Sequence, residues 1–193
     1  MYVKDIATVI SGYAFRGAIK PDVNGNVFVY QARDIRQDDP FQDVSTLTKT
    51  TLEAPGYEGY LKKHDIVMVS RGMKSGAFRS TIFAADAPNV IASSSVHVIR
   101  IKAQAVLPEY VSYFINSKRG QDALSEIVSG SYIGAVPRRE LEKIEIPIPH
   151  LRQQEVLVNL YRNMREQERI LERKKEIREN IINATFNKLT SKK

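Results

Sequence analysis

The stretch "SRGMKSGAFRS" sets three cations, Arg71, Lys74 and Arg79, among Gly72, Ser75, Gly76 and Ser80. Residues of these types suit contact with a polyanion. Glycines let a backbone approach closely, serine hydroxyls donate and accept, and an arginine fork takes guanine O6 and N7 in two parallel hydrogen bonds. A solvated hairpin with incidental charge is the plain alternative. A second stretch, "SGSYIGAVPRRE", offers Ser131 and Tyr132 in a turn, then Arg138 and Arg139 at the start of a short helix. A purely structural turn from Gly130 to Gly134 reads equally well there. Lys62 and Lys63 fit phosphate contacts, which give affinity without sequence information. Arg16 in "YAFRG", and Arg33 and Arg36 in "QARDIRQDD", are less specific, because Asp34, Asp38 and Asp39 offer the latter two local partners.

No constellation for catalysis accompanies these cations. "GMKSGAF" has the wrong spacing for a phosphate-binding loop that ends in Gly-Lys-Ser/Thr. The Asn/Asp-Pro-Pro-aromatic run of an amino-methyltransferase is missing. Pro21-Asp22 with Glu172-Arg173-Lys174 can be forced into a nuclease signature, but the second element falls in a charged helical stretch where chance accounts for it. The sequence has no cysteine, which excludes a disulfide framework and a thiolate zinc site. His64, His97 and His150 are too scattered to suggest a metal site. A non-enzymatic binding protein is expected, with no catalytic residue, metal or cofactor of its own.

The charge balance is compatible with that chemistry. Lys and Arg number 29 against 22 Asp and Glu, a formal charge of +7. Arg152 onward holds 11 of the basic and 6 of the acidic residues. Such a balance suits DNA, although a mildly basic solubility charge explains it as well. No apolar run reaches membrane-spanning length and no signal-peptide pattern opens the chain, so a soluble cytoplasmic protein is expected.

What would position the cations is a mixed α and β body. "NVFVYQA", "DIVMVS" and "SVHVIRI" are β-branched or aromatic runs bounded by Gly, Asn, Asp or Ser, and read as strands. "LPEYVSYFINSKRG" reads as a short amphipathic helix opened by proline and stopped by Gly120. "QDALSEIVSG" repeats the device, with Gly130 at its end. The long polar stretch "QARDIRQDDPFQDVSTLTKTTLEAPGYEG" is either a functional surface or conceals strands.

From Leu151 the chain contains no Gly or Pro, and helix formers dominate. Leu157, Leu160, Met164 and Leu171 make one apolar stripe at heptad-like spacing. Ile170, Ile177, Ile181 and Ala184 make another, offset by one residue. A helix of that length would run roughly 60 Å, more than a body of this size covers. Its stripe therefore asks for a second helix, with Leu157, Leu160, Met164, Leu171, Ile177 and Ile181 as the dimerisation residues of a homodimer. Folding back across its own domain is the alternative. Just ahead, "IPIP" is a stiff extended exit, since proline cannot donate to a ladder and disfavours helix before it. It reads as an elbow between body and helix.

The run "SGSYIGAVPRRELEKIEIPIPHLRQQEVL" resembles the segment of type I restriction–modification specificity subunits in which a target-recognition domain passes into a spacer helix. The matching positions are Gly130-Ser131, Leu141, Ile146-Pro147-Ile148-Pro149 and Gln153-Gln154. "VKDIATVISGYAF" resembles the opening of such a domain, "LKKHDIVMVSRG" its middle strand, and "LPEYVSYFINSKRGQDAL" the helix pair before the Gly-Ser turn. His64 departs from the glycine common before Asp65, and His150 and Arg152 replace more usual residues at the elbow.

The resemblance implies an α+β fold, with a target-recognition domain over 1–149 and a spacer or dimerisation helix over 150–193. It implies DNA recognition without chemistry. The expected partners are double-stranded DNA, adenine methyltransferase subunits that carry S-adenosylmethionine, and a translocase–nuclease subunit; no membrane is involved. Family members commonly hold two recognition domains and two helices, so this chain resembles a half-subunit, natural or truncated. Two copies with antiparallel helices would restore the pair and read a bipartite inverted repeat. The competing expectation is a protein-assembly module that uses its coiled coil without specific DNA binding.

Overall fold

The computed structural model describes residues 1–37, 39–72, 78–129 and 134–190. A first, antiparallel sheet has the order β1 (Ala7–Ser11), β8 (Val96–Ile101), β4 (Ile66–Val69) and β6 (Ser80–Ile82). Ile99 on β8 sits opposite Val9 on one side and Ile66 on the other. β4 is buried along its whole length, which is why its sequence does not alternate. A second sheet joins β3 (Thr48–Thr50), β2 (Val27–Tyr30) and β7 (Val90–Ala92), with β2 antiparallel to β3 and parallel to β7. The main core lies where the two sheets meet. Val67, Val69 and Val98 of the first share one cluster with Tyr30, Val90 and Ala92 of the second and with Phe83. Tyr30 meets Phe41 edge-on, with centroids 4.6 Å apart.

Helices cover the first sheet's edge. α2 (Pro108–Asn116) ends in a side chain that continues the ladder of β6. The Ser80 amide donates to Asn116 Oδ1 at 2.8 Å, and Asn116 Nδ2 donates to the Ser80 carbonyl at 2.9 Å. An edge strand so engaged no longer offers that pair of groups to another chain. Gly120 was expected to stop this helix. It lies instead in the first turn of α3 (Lys118–Ile127), whose N-cap Ser117 accepts from the Gly120 amide. The reason for glycine is proximity: a Cβ there would stand 2.0 Å from the Phe114 carbonyl oxygen.

The long polar stretch is not structureless. It folds into short 3-10 turns at Ala32–Asp34 and Val44–Thr46, followed by β3. The turn before β4 explains another oddity of the sequence. His64 has φ 71°, the left-handed region that favours glycine. Asp65 holds the turn by accepting from the Lys62 amide at 2.7 Å. His64→Gly is therefore expected to stabilise the protein by roughly 0.5–1 kcal/mol, net of the glycine's larger unfolded-state entropy. Chemical denaturation checks this, and an unchanged or lower midpoint would count against strain at His64.

The exit from the body is held by hydrogen bonds as well as prolines. Met1 and Ile146 exchange backbone bonds of 2.9 and 2.8 Å, and Val3, in α1 (Val3–Ile6), donates to the Ile144 carbonyl. Tyr110 Oη donates to the Pro147 carbonyl at 2.6 Å. α5 (Leu151–Thr190) then begins, and its Gln154 is fully buried. The Gln154 amide donates to the Ala105 and Pro149 carbonyls at 2.9 and 2.8 Å, while its oxygen accepts from the Leu107 amide at 3.0 Å. Gln153 caps the helix from N3 by accepting from the His150 amide.

By its contacts the chain divides into Met1–Glu155 and Val156–Lys193. The first unit is the mixed α and β body; the described part of the second is the continuation of α5, a single helix to Thr190. No described helix is long and apolar enough to cross a membrane.

Candidate nucleic-acid interface

A two-stranded ribbon brings the two candidate stretches together. β5 (Arg71–Gly72) pairs with β9 (Gly134–Ala135), Arg71 opposite Ala135 and Gly72 opposite Gly134. The pairing continues at its base, where the Val136 amide donates to the Ser70 carbonyl at 2.9 Å. Gly134 is needed for packing, since a Cβ would stand 2.5 Å from Val128 Cγ1. Beyond β9, α4 (Arg138–Leu141) starts with Arg138 and Arg139, both exposed, as is Arg71. Arg138 pairs with Glu142 at 2.8 Å, yet its side chain remains half exposed.

His97 underlies the ribbon. Its Nε2 is 2.8 Å from the Val136 carbonyl, which can only accept, so Nε2 carries the proton. Nδ1 is buried with no partner among the described residues. Burial is the main cause that holds the imidazole below its ordinary pKa; the Val136 bond opposes this, and the charges of Arg138 and Arg71 add to the depression. Arg71 lies on β5 and Arg138 at the start of α4, so the pairing of β5 with β9 brings the two stretches together over His97. Exposed guanidinium groups such as those of Arg71, Arg138 and Arg139 can receive a phosphate or a guanine edge.

The other candidates are distributed differently. Lys62 and Lys63 are exposed on the turn before β4. That turn is fixed by Asp65, which is 2% exposed and takes Arg100 in two bonds of 2.8 and 2.7 Å. Arg100 also donates to the Tyr60 carbonyl. Arg79, read from the sequence as a DNA contact, has its Nε and Nη2 on the carbonyls of Ile35 and Ala32 at 2.6 and 3.0 Å. It positions the segment that bears Arg33 and Arg36. Arg33 is itself engaged with Thr48 Oγ1 at 2.9 Å, with Asp34 at 3.9 Å; Arg36 and Arg16 are exposed. Lys74, Ser75, Ser131 and Tyr132 lie outside the described residues, as does Asp38.

The sequence reading missed His97, Asp65 and Arg100 as positioning residues. The one signal available was an arginine inside an otherwise apolar strand, "SVHVIRI". No group of described residues could hold a metal ion. On α5 the stripe residues Leu157, Leu160, Met164, Ile170, Leu171, Ile177 and Ile181 are all exposed in the single chain, by 43% to 64%.

Comparison with known proteins gives a consistent picture. The family model described as type I restriction modification DNA specificity domain matches residues 1–183. No curated protein sequence matches the chain. Among solved structures, the chain is similar to the HsdS subunit from Thermoanaerobacter tengcongensis, with a TM-score of 0.62 at 15% identity, covering 90% of this chain and 38% of that one. It is similar to the S subunit of a type I restriction-modification system from M. genitalium, with a TM-score of 0.53 at 14% identity and coverage of 86% and 38%. A chain from a structure of type I R-M complex assembly and conformational transition gives a TM-score of 0.64 at 16% identity, covering 95% of this chain and 42% of that one. The likeness at these identities is one of fold, and this chain spans 38% to 42% of the solved chains' lengths.

Proposed function

The chain belongs to the type I restriction modification DNA specificity family, and on that premise we propose that it reads duplex DNA sequence through its globular unit and performs no chemistry itself. The observation that carries this reading is the pairing of β5 with β9, which joins the stretch bearing Arg71 to the one that leads into Arg138 and Arg139, all three exposed. Adenine methyltransferase subunits, with their S-adenosylmethionine, would supply modification, and a translocase–nuclease subunit would supply cleavage. Two copies would pair through the exposed stripe of α5 and present two recognition domains to two half-sites. The stripe supports this because seven exposed Leu, Ile and Met side chains on one helix have a large apolar area to bury. Selection from random duplexes, using the chain with its methyltransferase partner, is expected to return an inverted repeat with an unread spacer. Absence of any enriched sequence would count against DNA reading.

Within the body, anchoring and reading are separable. Lys62→Ala and Lys63→Ala are expected to weaken binding equally on all duplexes. Each phosphate that a variant no longer neutralises should reduce the log–log salt slope by about 0.9. Arg71→Ala is expected to cost roughly 1–3 kcal/mol on the specific site and little elsewhere. Arg79→Ala is expected to lower folding stability instead, by roughly 1–3 kcal/mol, because two backbone acceptors are deprived of a charged donor. Titrations on specific and random duplexes, with a denaturation curve for each variant, decide these roles. An Arg71→Ala effect that is equal on both duplexes would move that residue to the phosphate class.

A further inference from the structure

The offset between the two apolar stripes of α5 has a symmetry. Positions equally far on either side of the point between Ile170 and Leu171 match in kind: Ile170 with Leu171, Met164 with Ile177, Leu160 with Ile181, Leu157 with Ala184. A half-turn that superposes each helix on its antiparallel partner produces these matches. In antiparallel pairs an a position on one helix faces a d position on the other, and reversing the direction exchanges them. The shift of the stripe at the midpoint gives these matches a single centre, between Ile170 and Leu171.

The charges follow the same centre. Arg162 matches Glu179, Arg165 matches Glu176, Glu166 matches Lys175, Glu168 matches Arg173, and Arg169 matches Glu172. Wherever both members of a matched pair are charged, the signs are opposite. Even the ion pairs within one helix obey the rule: Arg165–Glu168 at 2.9 Å maps onto Glu176–Arg173 at 2.6 Å with the signs exchanged. A parallel pair in register would set each charge at the level of its own copy. The antiparallel pair sets it at the level of its opposite, within about one Debye length across the helix pair.

Resting on the homodimer reading above, we infer that the occupant of the exposed α5 stripe is a second copy of this chain, antiparallel, with its two-fold axis between Ile170 and Leu171. The layers from that axis outward are Ile170/Leu171, Gln167/Lys174, Met164/Ile177, Leu160/Ile181 and Leu157/Ala184. One layer is polar. It restricts sliding, since a shift by a heptad would bury the long polar side chains of Gln167 and Lys174 against apolar ones.

The absence of cysteine makes the register directly testable by oxidation of introduced thiols in the full chain. A disulfide needs Cα atoms within about 7 Å. In the proposed register, two copies of residue 171 are offset along the axis by about 1.5 Å, whereas two copies of residue 164 or of 177 are offset by roughly 20 Å. Leu171→Cys alone is therefore expected to cross-link. Met164→Cys alone and Ile177→Cys alone are not, but an equimolar mixture of the two is expected to give the mixed disulfide. A mixture of Gln167→Cys and Lys174→Cys repeats the test at the polar layer, where every apolar side chain is kept. Self-cross-linking of all single variants would show a parallel pair and overturn the inference. A sedimenting dimer in which neither mixture cross-links would overturn the register while the dimer stands. A wild-type chain that sediments as a monomer, alone and on DNA, would remove the dimer and the register with it.

Discussion

The double variant Leu160→Glu, Ile181→Glu is expected to sediment as a monomer at concentrations where the wild-type chain is a dimer. The two residues share a layer in the proposed register, so each copy contributes two substitutions and the interface receives four carboxylates in two layers. Burying one Leu or Ile side chain is worth roughly 1.5–3 kcal/mol, and four such terms exceed about 6 kcal/mol before any repulsion is counted. That corresponds to at least about four orders of magnitude in the dimer constant. The globular unit should be unaffected, because both side chains are exposed and belong to Val156–Lys193. DNA binding is the second readout. A monomer still recognises one half-site, but it no longer has the linkage that makes the second contact intramolecular, an effect of roughly 10²–10⁴ in affinity. Sedimentation equilibrium with and without duplex, and hydrogen exchange of the body, check both statements. A variant that remains dimeric would exclude the stripe as the interface.

How much of this was legible before the structure depends on where each element's stability originates. β2, β4, β8 and α2 were visible because their own residues carry the pattern: β-branched runs between breakers, or apolar residues at helical spacing behind a proline. β3 was not visible. Thr48, Lys49 and Thr50 have no apolar signature, and they are a strand only because β2 lies beside them. Gly120 was misread because a glycine that permits close packing looks, in sequence, like a glycine that ends a helix. The candidate site divides similarly. Arginines in a glycine- and serine-rich stretch could be singled out from composition. That the stretches bearing Arg71 and Arg138 would come together follows from the pairing of β5 with β9, which no local pattern announces. Nor could composition show that Arg79 serves two backbone carbonyls, because its acceptors come from a segment far away in sequence. The mirror in α5 was present in the sequence throughout as two stripes one residue out of phase. It becomes interpretable once the structure gives one continuous helix, from Leu151 to Thr190, with every stripe residue exposed.

Inserting one base pair into the unread spacer of the recognised site is expected to weaken binding about as much as dissociating the dimer does. The added pair turns one half-site by roughly 34–36° about the duplex relative to the other. Two recognition domains joined through a paired helix follow that turn only by strain or by releasing one half-site, and release returns the complex to the affinity of a single domain. Changing the spacer bases at constant length should matter little. Shortening the helix tests the same link from the protein side. Deletion of Arg165 to Leu171 removes one heptad and keeps the Leu157/Ala184, Leu160/Ile181 and Met164/Ile177 layers. It should shorten the pair by about 10 Å and shift the preferred spacer to a shorter one without changing the half-site sequence. The exit itself lies within the globular unit, Met1–Glu155. Prolines 147 and 149 set the exit, but its backbone is held by the Tyr110 hydroxyl and by the fully buried Gln154 amide. Gln154→Leu, which removes three hydrogen bonds at the first turn of α5, should therefore broaden spacer tolerance more than Pro147→Gly with Pro149→Gly. Binding selections on libraries that vary only in spacer length measure all three variants at once. If affinity were indifferent to spacer length in the wild-type protein, the paired helix would not be setting a distance, and its role would lie in assembly with other subunits.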